Sequence, residues 1–325
     1  MRVAVDTTPL RLTGAGTARY LRNLLARLEP DHDVRRVAFG GPGKASVLAR
    51  ELAWYPFALG RLGGVDVLHC PTYYGPVRPR VPLVVTVLDL SVIRHPEAFP
   101  RWTRTAVPVV APRVLRAARR ILAISEFTRS EVVELLGMPE EKVVAVPLAV
   151  EPETFRPDGE AADGEYVLAV GTLEPRKNLA RLAEATRRLG VELRVVGASG
   201  WGGVTAGGEG VRWLGRVDDE ELARLYRGAA VAAYPSLYEG FGIPVLEAMA
   251  CGAPVVTSRG GATEEVAGGA AVLVDPLDPA SIVAGIEGAG ARRGELRELG
   301  FARAAAFSWD ETARRTVEVY REASG

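Results

Sequence analysis

Three observations predict an α/β protein built from two doubly wound parallel sheets. Short apolar strands alternate with helical stretches along nearly the whole chain. A Pro-, Gly- and acid-rich stretch at residues 147–165 interrupts that alternation near the middle and reads as a linker. The alternation then resumes. With 325 residues, 48% of them hydrophobic, the chain is long enough to bury two sizeable cores.

In the first half, strands are expected near residues 2–6, 34–39, 65–68, 83–87, 120–124 and 142–146. Helices are expected near 17–28, 44–59, 100–118 and 126–136, the third of them interrupted by Pro108 and Pro112, which donate no amide hydrogen. In the second half, strands near 166–170, 192–196, 211–214, 230–234, 254–257 and 271–274 repeat the pattern, with helices between them. The last apolar-periodic run, 309–320, reads as a terminal helix. The expected division is 1–150, 151–307 and a terminal segment 308–325.

Composition removes several function classes. Forty basic residues balance forty acidic ones, so no bulk attraction to nucleic acid is expected. No run of about eighteen apolar residues is present to span a membrane. The opening segment, residues 1–6, reads as a strand rather than a secretory leader. Cys70 and Cys251 fall in different predicted units, which argues against a disulfide and for a reducing, cytoplasmic setting.

The stretch Glu239-Gly-Phe-Gly-Ile-Pro-Val-Leu-Glu247 holds two carboxylates eight positions apart across a glycine loop and a helix start. Pro244 suits the first position of a helix, whose free amides and dipole then point back at the loop. Gly240 and Gly242 let backbone approach a ligand closely. Glu239 and Glu247 can accept from sugar hydroxyls; alternatively, Glu239 complements the helix dipole and Glu247 is a solvated helix residue.

About sixty residues upstream, Val167-Leu-Ala-Val-Gly-Thr-Leu-Glu-Pro-Arg-Lys-Asn178 reads as strand, glycine turn, loop and helix start, with Asn178 as N-cap. Arg176 and Lys177 then sit just before a helix N-terminus. A guanidinium fork, a compact ammonium and backbone amides together suit a diphosphate. Lys177 is one of only three lysines, with Lys44 and Lys142. A solvated Arg-Lys pair is the alternative.

These two segments resemble the donor-site motifs of the retaining glycosyltransferases of family 4, which have the GT-B fold of two Rossmann-like domains facing across a cleft. That resemblance implies that Arg176 and Lys177 hold the diphosphate of a GDP- or UDP-sugar, that Glu247 holds the ribose, and that Glu239 with the Phe241, Gly242 and Ile243 backbone addresses the transferred sugar. It also implies a terminal helix that crosses back onto the first domain. No metal or other cofactor is expected, since such sites neutralise phosphate with cations and amides, and no carboxylate pair here resembles a metal cage.

In the first half, Thr13-Gly-Ala-Gly-Thr-Ala-Arg-Tyr20 has Gly-x-Gly spacing after a strand, suited to close approach by phosphate. Arg19 stands where a dinucleotide fingerprint needs its third glycine, and no acid ends the next strand, so a dehydrogenase is not indicated. The segment resembles the family's N-terminal glycine loop, with Ala15 in place of the first glycine, so Gly16 is the residue carried over. Many family members have His-Asp where this chain has Leu88-Asp89. Leucine moves no proton, which leaves Asp89 to hold an acceptor or donor hydroxyl or to orient a loop, and leaves His69 and His95 as candidates to line the cleft. Front-face attack with retention, as proposed for the family, tolerates the loss because the leaving diphosphate accepts the acceptor's proton.

Residues 101–120 carry six arginines, no acid, and Trp102 near the start. That composition suits contact with an anionic lipid surface, the plain alternative being a solvated helix. The expected activity is transfer of a mannose- or glucose-type sugar to a hydroxyl of a glycan or lipid-linked acceptor. The rival readings are an inactive donor-binding partner, for which Leu88 is the cue, and a sugar-nucleotide 2-epimerase.

Overall fold

The computed structural model describes residues 1–14, 16–200 and 208–325; Ala15 lies outside them. The chain divides into two compact units, Met1–Leu148 with Trp309–Gly325, and Ala149–Ser308. Each contains one six-stranded sheet in which every pairing is parallel.

In the first unit the strands are β1 (Arg2–Asp6), β2 (Asp33–Val37), β3 (Val67–Cys70), β4 (Leu83–Val87), β5 (Arg120–Ala123) and β6 (Val143–Ala145). They lie in the order β2-β1-β3-β4-β5-β6, so the chain reverses direction across the sheet between β1 and β3. Strands β3 and β4 are buried along their full length, as expected of a parallel sheet covered on both faces.

The expected strand at 65–68 lies two residues further on. His69 is therefore inside β3, paired with Val5 and Val84, and not at its end. The long helical stretch from Lys44 also differs in kind. It is α-helical to Ala49, π-helical over Arg50–Ala58 and closes in a 3-10 turn at Leu59–Arg61. Pro56 lies within the π segment, where its ring and missing amide disfavour the ordinary i to i−4 bond.

The helix Arg101–Ala117 runs through both Pro108 and Pro112, so the expected interruption is absent. The two prolines are four positions apart and lie on the flank of the buried stripe formed by Val107, Ala111, Val114 and Leu115, whose packing holds the helix together. The terminal helix Trp309–Ser324 belongs to the first unit. Thr312 Oγ1 donates to Pro147 O at 2.7 Å, Arg27 pairs with Asp310 at 2.6 Å, and the Tyr320 hydroxyl meets His69 Nδ1 at 2.7 Å. Complete burial of Tyr320 and Trp309 anchors it, at about 2–3 kcal/mol of apolar burial for each ring.

In the second unit the strands are β7 (Tyr166–Val170), β8 (Glu192–Val196), β9 (Val211–Gly215), β10 (Val231–Tyr234), β11 (Val255–Ser258) and β12 (Val272–Val274). Their order is β12-β11-β10-β7-β8-β9. The reversal falls between β7 and β10, which are neighbours. In open α/β sheets ligands bind beyond the carboxyl ends of strands at such a reversal. The two motif segments follow β7 and β10.

Candidate functional site

Adjacency of β7 and β10 brings together two loops sixty residues apart, and a set of short bonds fastens them. The Leu237 amide donates to Arg176 O at 2.8 Å, and Arg176 Nη1 donates to Tyr238 O at 2.9 Å. Asn178 Nδ2 donates to Pro235 O at 3.0 Å and Pro276 O at 2.6 Å. Asn178 has φ 59° and its side chain caps no backbone amide of the helix Leu179–Leu189 that follows it; Oδ1 accepts from Arg181 Nη1 of that helix at 2.9 Å, while Nδ2 tethers the two loops. An amide side chain tolerates this left-handed backbone better than most.

Four charges converge where the loops meet. Lys177 Nζ lies 2.6 Å from Glu239 Oε1, and Arg176 Nη1 lies 3.2 Å from Glu239 Oε2. Arg176 Nη2 is bonded to Glu174 Oε1 at 2.6 Å, and Lys177 Nζ also donates to the Tyr234 hydroxyl at 2.6 Å. The side chains of Arg176, Lys177 and Glu239 are only 11–12% exposed, which excludes a solvated Arg-Lys pair. Gly171, at φ 153°, leaves room for the Lys177 stem; a Cβ there would come within 3.1 Å of Lys177 Cε.

Burial and pairing oppose one another in this cluster. Burial acts to raise the Glu239 carboxyl, but Lys177 and then Arg176 overcome it and hold its pKa below the ordinary value. For Lys177, burial acts to lower the ammonium, and the Glu239 carboxylate overcomes it and raises the pKa. Glu174 is shifted upward, because its burial outweighs the attraction of Arg176 and Lys177.

The helix after the second loop starts at Ile243, which puts Pro244 in its second position. Gly242 precedes it at φ 126°, a backbone suited to glycine, and a Cβ there would lie 3.2 Å from Thr263 Cγ2. The Phe241 ring turns inward, edge-on to Phe307 at 5.8 Å, so the Phe241–Ile243 segment offers backbone rather than that ring. Glu247 is 2% exposed and accepts from the Tyr226 hydroxyl at 3.0 Å, which excludes a solvated helix residue.

Gly16 and Asp89 belong to the first unit. Gly16 opens the helix Gly16–Leu28, with open space where a Cβ would project. Asp89 Oδ1 accepts from the Ser91 amide at 2.9 Å and hydroxyl at 2.6 Å, which orients the turn into the helix Ser91–Arg94. Leu88 is half-buried beside it.

The two histidine candidates separate. His95 Nδ1 faces Glu97 at 3.2 Å. His69 is wholly buried, with Nε2 2.8 Å from Thr86 Oγ1 and Nδ1 on Tyr320, while Tyr20 reaches the same threonine at 3.0 Å. Burial pushes its pKa down to about 3, so it stays neutral. It ties the terminal helix to β3 and β4 and does not line an open cleft.

Sequence reasoning missed Glu174 and Tyr234. Both stand at or just beyond the carboxyl end of a strand flanking the reversal, and that position was the available signal.

This fold and loop arrangement is that of a nucleotide-sugar-dependent type of transferase, the GT-B class, and comparison with known proteins agrees. Residues 164–289 match the family model "Glycosyl transferases group 1", and residues 14–154 match "Glycosyltransferase Family 4". The chain is 35% identical to the O-antigen chain mannosyltransferase B of Escherichia coli, over 78% of this chain and 74% of that one. It is 34% identical to the MMP alpha-(1->4)-mannosyltransferase of Mycolicibacterium hassiacum, over 81% and 72%. Among solved structures, sucrose-phosphate synthase of Thermosynechococcus elongatus superposes with a TM-score of 0.78 at 19% identity, covering 99% and 98% of the two chains. Anabaena HepE in complex with UDP and glucose gives 0.75 at 17%, covering 99% of each chain. The chain belongs to glycosyltransferase family 4 and is a hexosyltransferase.

Proposed function

We propose that the enzyme moves a mannose- or glucose-type hexose from a GDP- or UDP-linked donor to a hydroxyl acceptor, with retention at the anomeric carbon and without a metal ion. The observation that carries this is the convergence of Arg176, Lys177 and Glu239 at the reversal point of the second sheet. Two cations beside a helix start match a diphosphate, and an adjacent carboxylate matches sugar hydroxyls. The names of the two relatives favour mannose, and the HepE complex favours a uridine donor.

In this proposal Arg176 and Lys177 stabilise the charge that develops on the leaving diphosphate, and the diphosphate takes the acceptor's proton on the same face. No side-chain base is then required at Leu88. The backbone of Phe241 to Ile243 addresses the sugar, Glu247 takes the ribose hydroxyls, and Asp89 uses Oδ2 for a substrate hydroxyl. A thermal-shift panel of GDP- and UDP-sugars, with magnesium and with chelator, tests the assignment. One donor is expected to raise Tm equally in both conditions. A silent panel, or a shift that needs magnesium, contradicts it.

The acceptor is proposed to be a lipid-linked glycan, met on the cytoplasmic side of a membrane. Leu48, Leu52 and Phe57 are all more than half exposed. Spacings of four residues in an α turn and five in a π turn place them on one side of the helical stretch from Lys44. Trp102, 57% exposed, is tied to that stretch through Nε1 to Glu51 at 2.7 Å, and the arginine-rich helix extends from it. An apolar stripe beside a helix that carries arginines and no acid suits an anionic bilayer. Binding to phosphatidylglycerol vesicles, lost on Leu48→Asp with Leu52→Asp, is the expected result; equal binding by that variant removes the surface from the proposal.

A further inference from the structure

We infer that Glu239 occupies the diphosphate position until the donor arrives, so that donor binding is an exchange of one anion for another. This inference rests on the donor-site reading above and concerns how that site discriminates. As it stands, the cluster is neutral, with Glu174 and Glu239 balancing Arg176 and Lys177. One Glu239 oxygen is on each cation, at 2.6 and 3.2 Å, and a diphosphate would present its oxygens to the same two groups. Adding a doubly charged group to a neutral, poorly solvated cluster places like charges side by side. The carboxylate therefore leaves the cations as the diphosphate binds.

The remaining contacts fit this division of labour. Arg176 keeps its bonds to Glu174 and to Tyr238 O, and Lys177 keeps its bond to the Tyr234 hydroxyl. The cations are thus held by partners other than Glu239. Glu239 itself begins a loop containing Gly240 and Gly242, the latter at φ 126°. Once displaced, an ionised carboxylate only accepts hydrogen bonds, and the donor's sugar hydroxyls can supply them.

Phosphate and sugar recognition are coupled through this one side chain. A nucleoside diphosphate without sugar leaves the displaced carboxylate beside the phosphates with no sugar hydroxyl to accept from, whereas the full donor supplies them. After transfer the sugar is gone, and Glu239 returns to the cations and helps expel the nucleotide.

Calorimetric titration of inorganic pyrophosphate, UDP and GDP into wild type and Glu239→Gln tests this directly. Pyrophosphate is expected to bind about tenfold tighter to the Gln variant, because neutral glutamine no longer competes for the cations. Equal or weaker binding by Glu239→Gln overturns the exchange. If circular dichroism shows that the Gln variant has lost its fold, Glu239→Asp carries the test. With its carboxylate drawn back by one methylene, it is expected to bind pyrophosphate about threefold tighter than wild type, and equal or weaker binding overturns the inference. Failure of every nucleotide and nucleotide sugar to bind wild type or variant instead overturns the donor-site reading, and the inference falls with it.

Discussion

Each unit buries a polar cluster, and the two are built on opposite principles. In the second unit, Glu174, Arg176, Lys177 and Glu239 form a cluster of ion pairs, largely buried, in the loops beyond the ends of β7 and β10. In the first, Tyr20, His69, Thr86 and Tyr320 form a neutral chain of bonds sealed between strands and helices. Charges are costly to bury, and an ion pair is weak evidence for stability. Keeping two cations and two carboxylates at a strand-end reversal makes sense where an incoming anion can exchange with one of them. The neutral cluster has no such exchange to make. Its histidine stays uncharged and serves the docking of the terminal helix.

Variants that disturb one cluster and spare the other sharpen this contrast. The largest effect is expected from Glu239→Gln, which should lower kcat/KM for sugar transfer about a thousandfold in a steady-state assay. Parallel losses in transfer and nucleotide affinity would mean that the residue only shapes the loop. Glu174→Gln should lower kcat/KM about thirtyfold by letting Arg176 drift, with the melting temperature nearly unchanged. An unchanged rate would remove Glu174 as a positioning residue.

The neutral cluster should respond in stability and not in nucleotide binding. His69 has a folded pKa of about 3, below its unfolded value of about 6.5. Between those values the unfolded chain binds more protons, so the stability that His69 contributes is complete above about pH 6.5 and is lost as pH falls toward 3. The expected loss between pH 7 and pH 5 is on the order of 2 kcal/mol, read from denaturant midpoints. His69→Gln should flatten that slope, and an unchanged slope would assign it to other groups. The smallest effect is Tyr320→Phe, at about 1 kcal/mol, with UDP and GDP affinity unaltered.

Much of the architecture was legible because parallel strands buried on both faces read as short apolar runs, and glycine and proline mark their ends. Boundaries were less legible, and one of them mattered. A two-residue shift in β3 moves His69 from an apparent strand end, where ligands bind, into the sheet interior, where a neutral histidine only packs and bonds. The prolines of the helix Arg101–Ala117 misled for a related reason: a run of apolar contacts along one stripe holds a helix together through two missing amides. In the second unit, motif spacing put Arg176, Lys177 and Glu239 forward together. It did not show that Glu239 bridges both cations or that Asn178 fastens the loops, because both depend on β7 lying next to β10. Glu174 escaped notice since an acid two positions before an arginine looks like turn chemistry until its burial is known.

The most direct test of the central assignment is calorimetric titration of UDP and GDP into wild type and Lys177→Ala. Removal of the ammonium proposed to hold the diphosphate should weaken whichever nucleotide binds by about a hundredfold, with the circular dichroism spectrum retained. Unchanged nucleotide affinity in a folded Lys177→Ala protein would contradict the assignment of this loop to the donor phosphates.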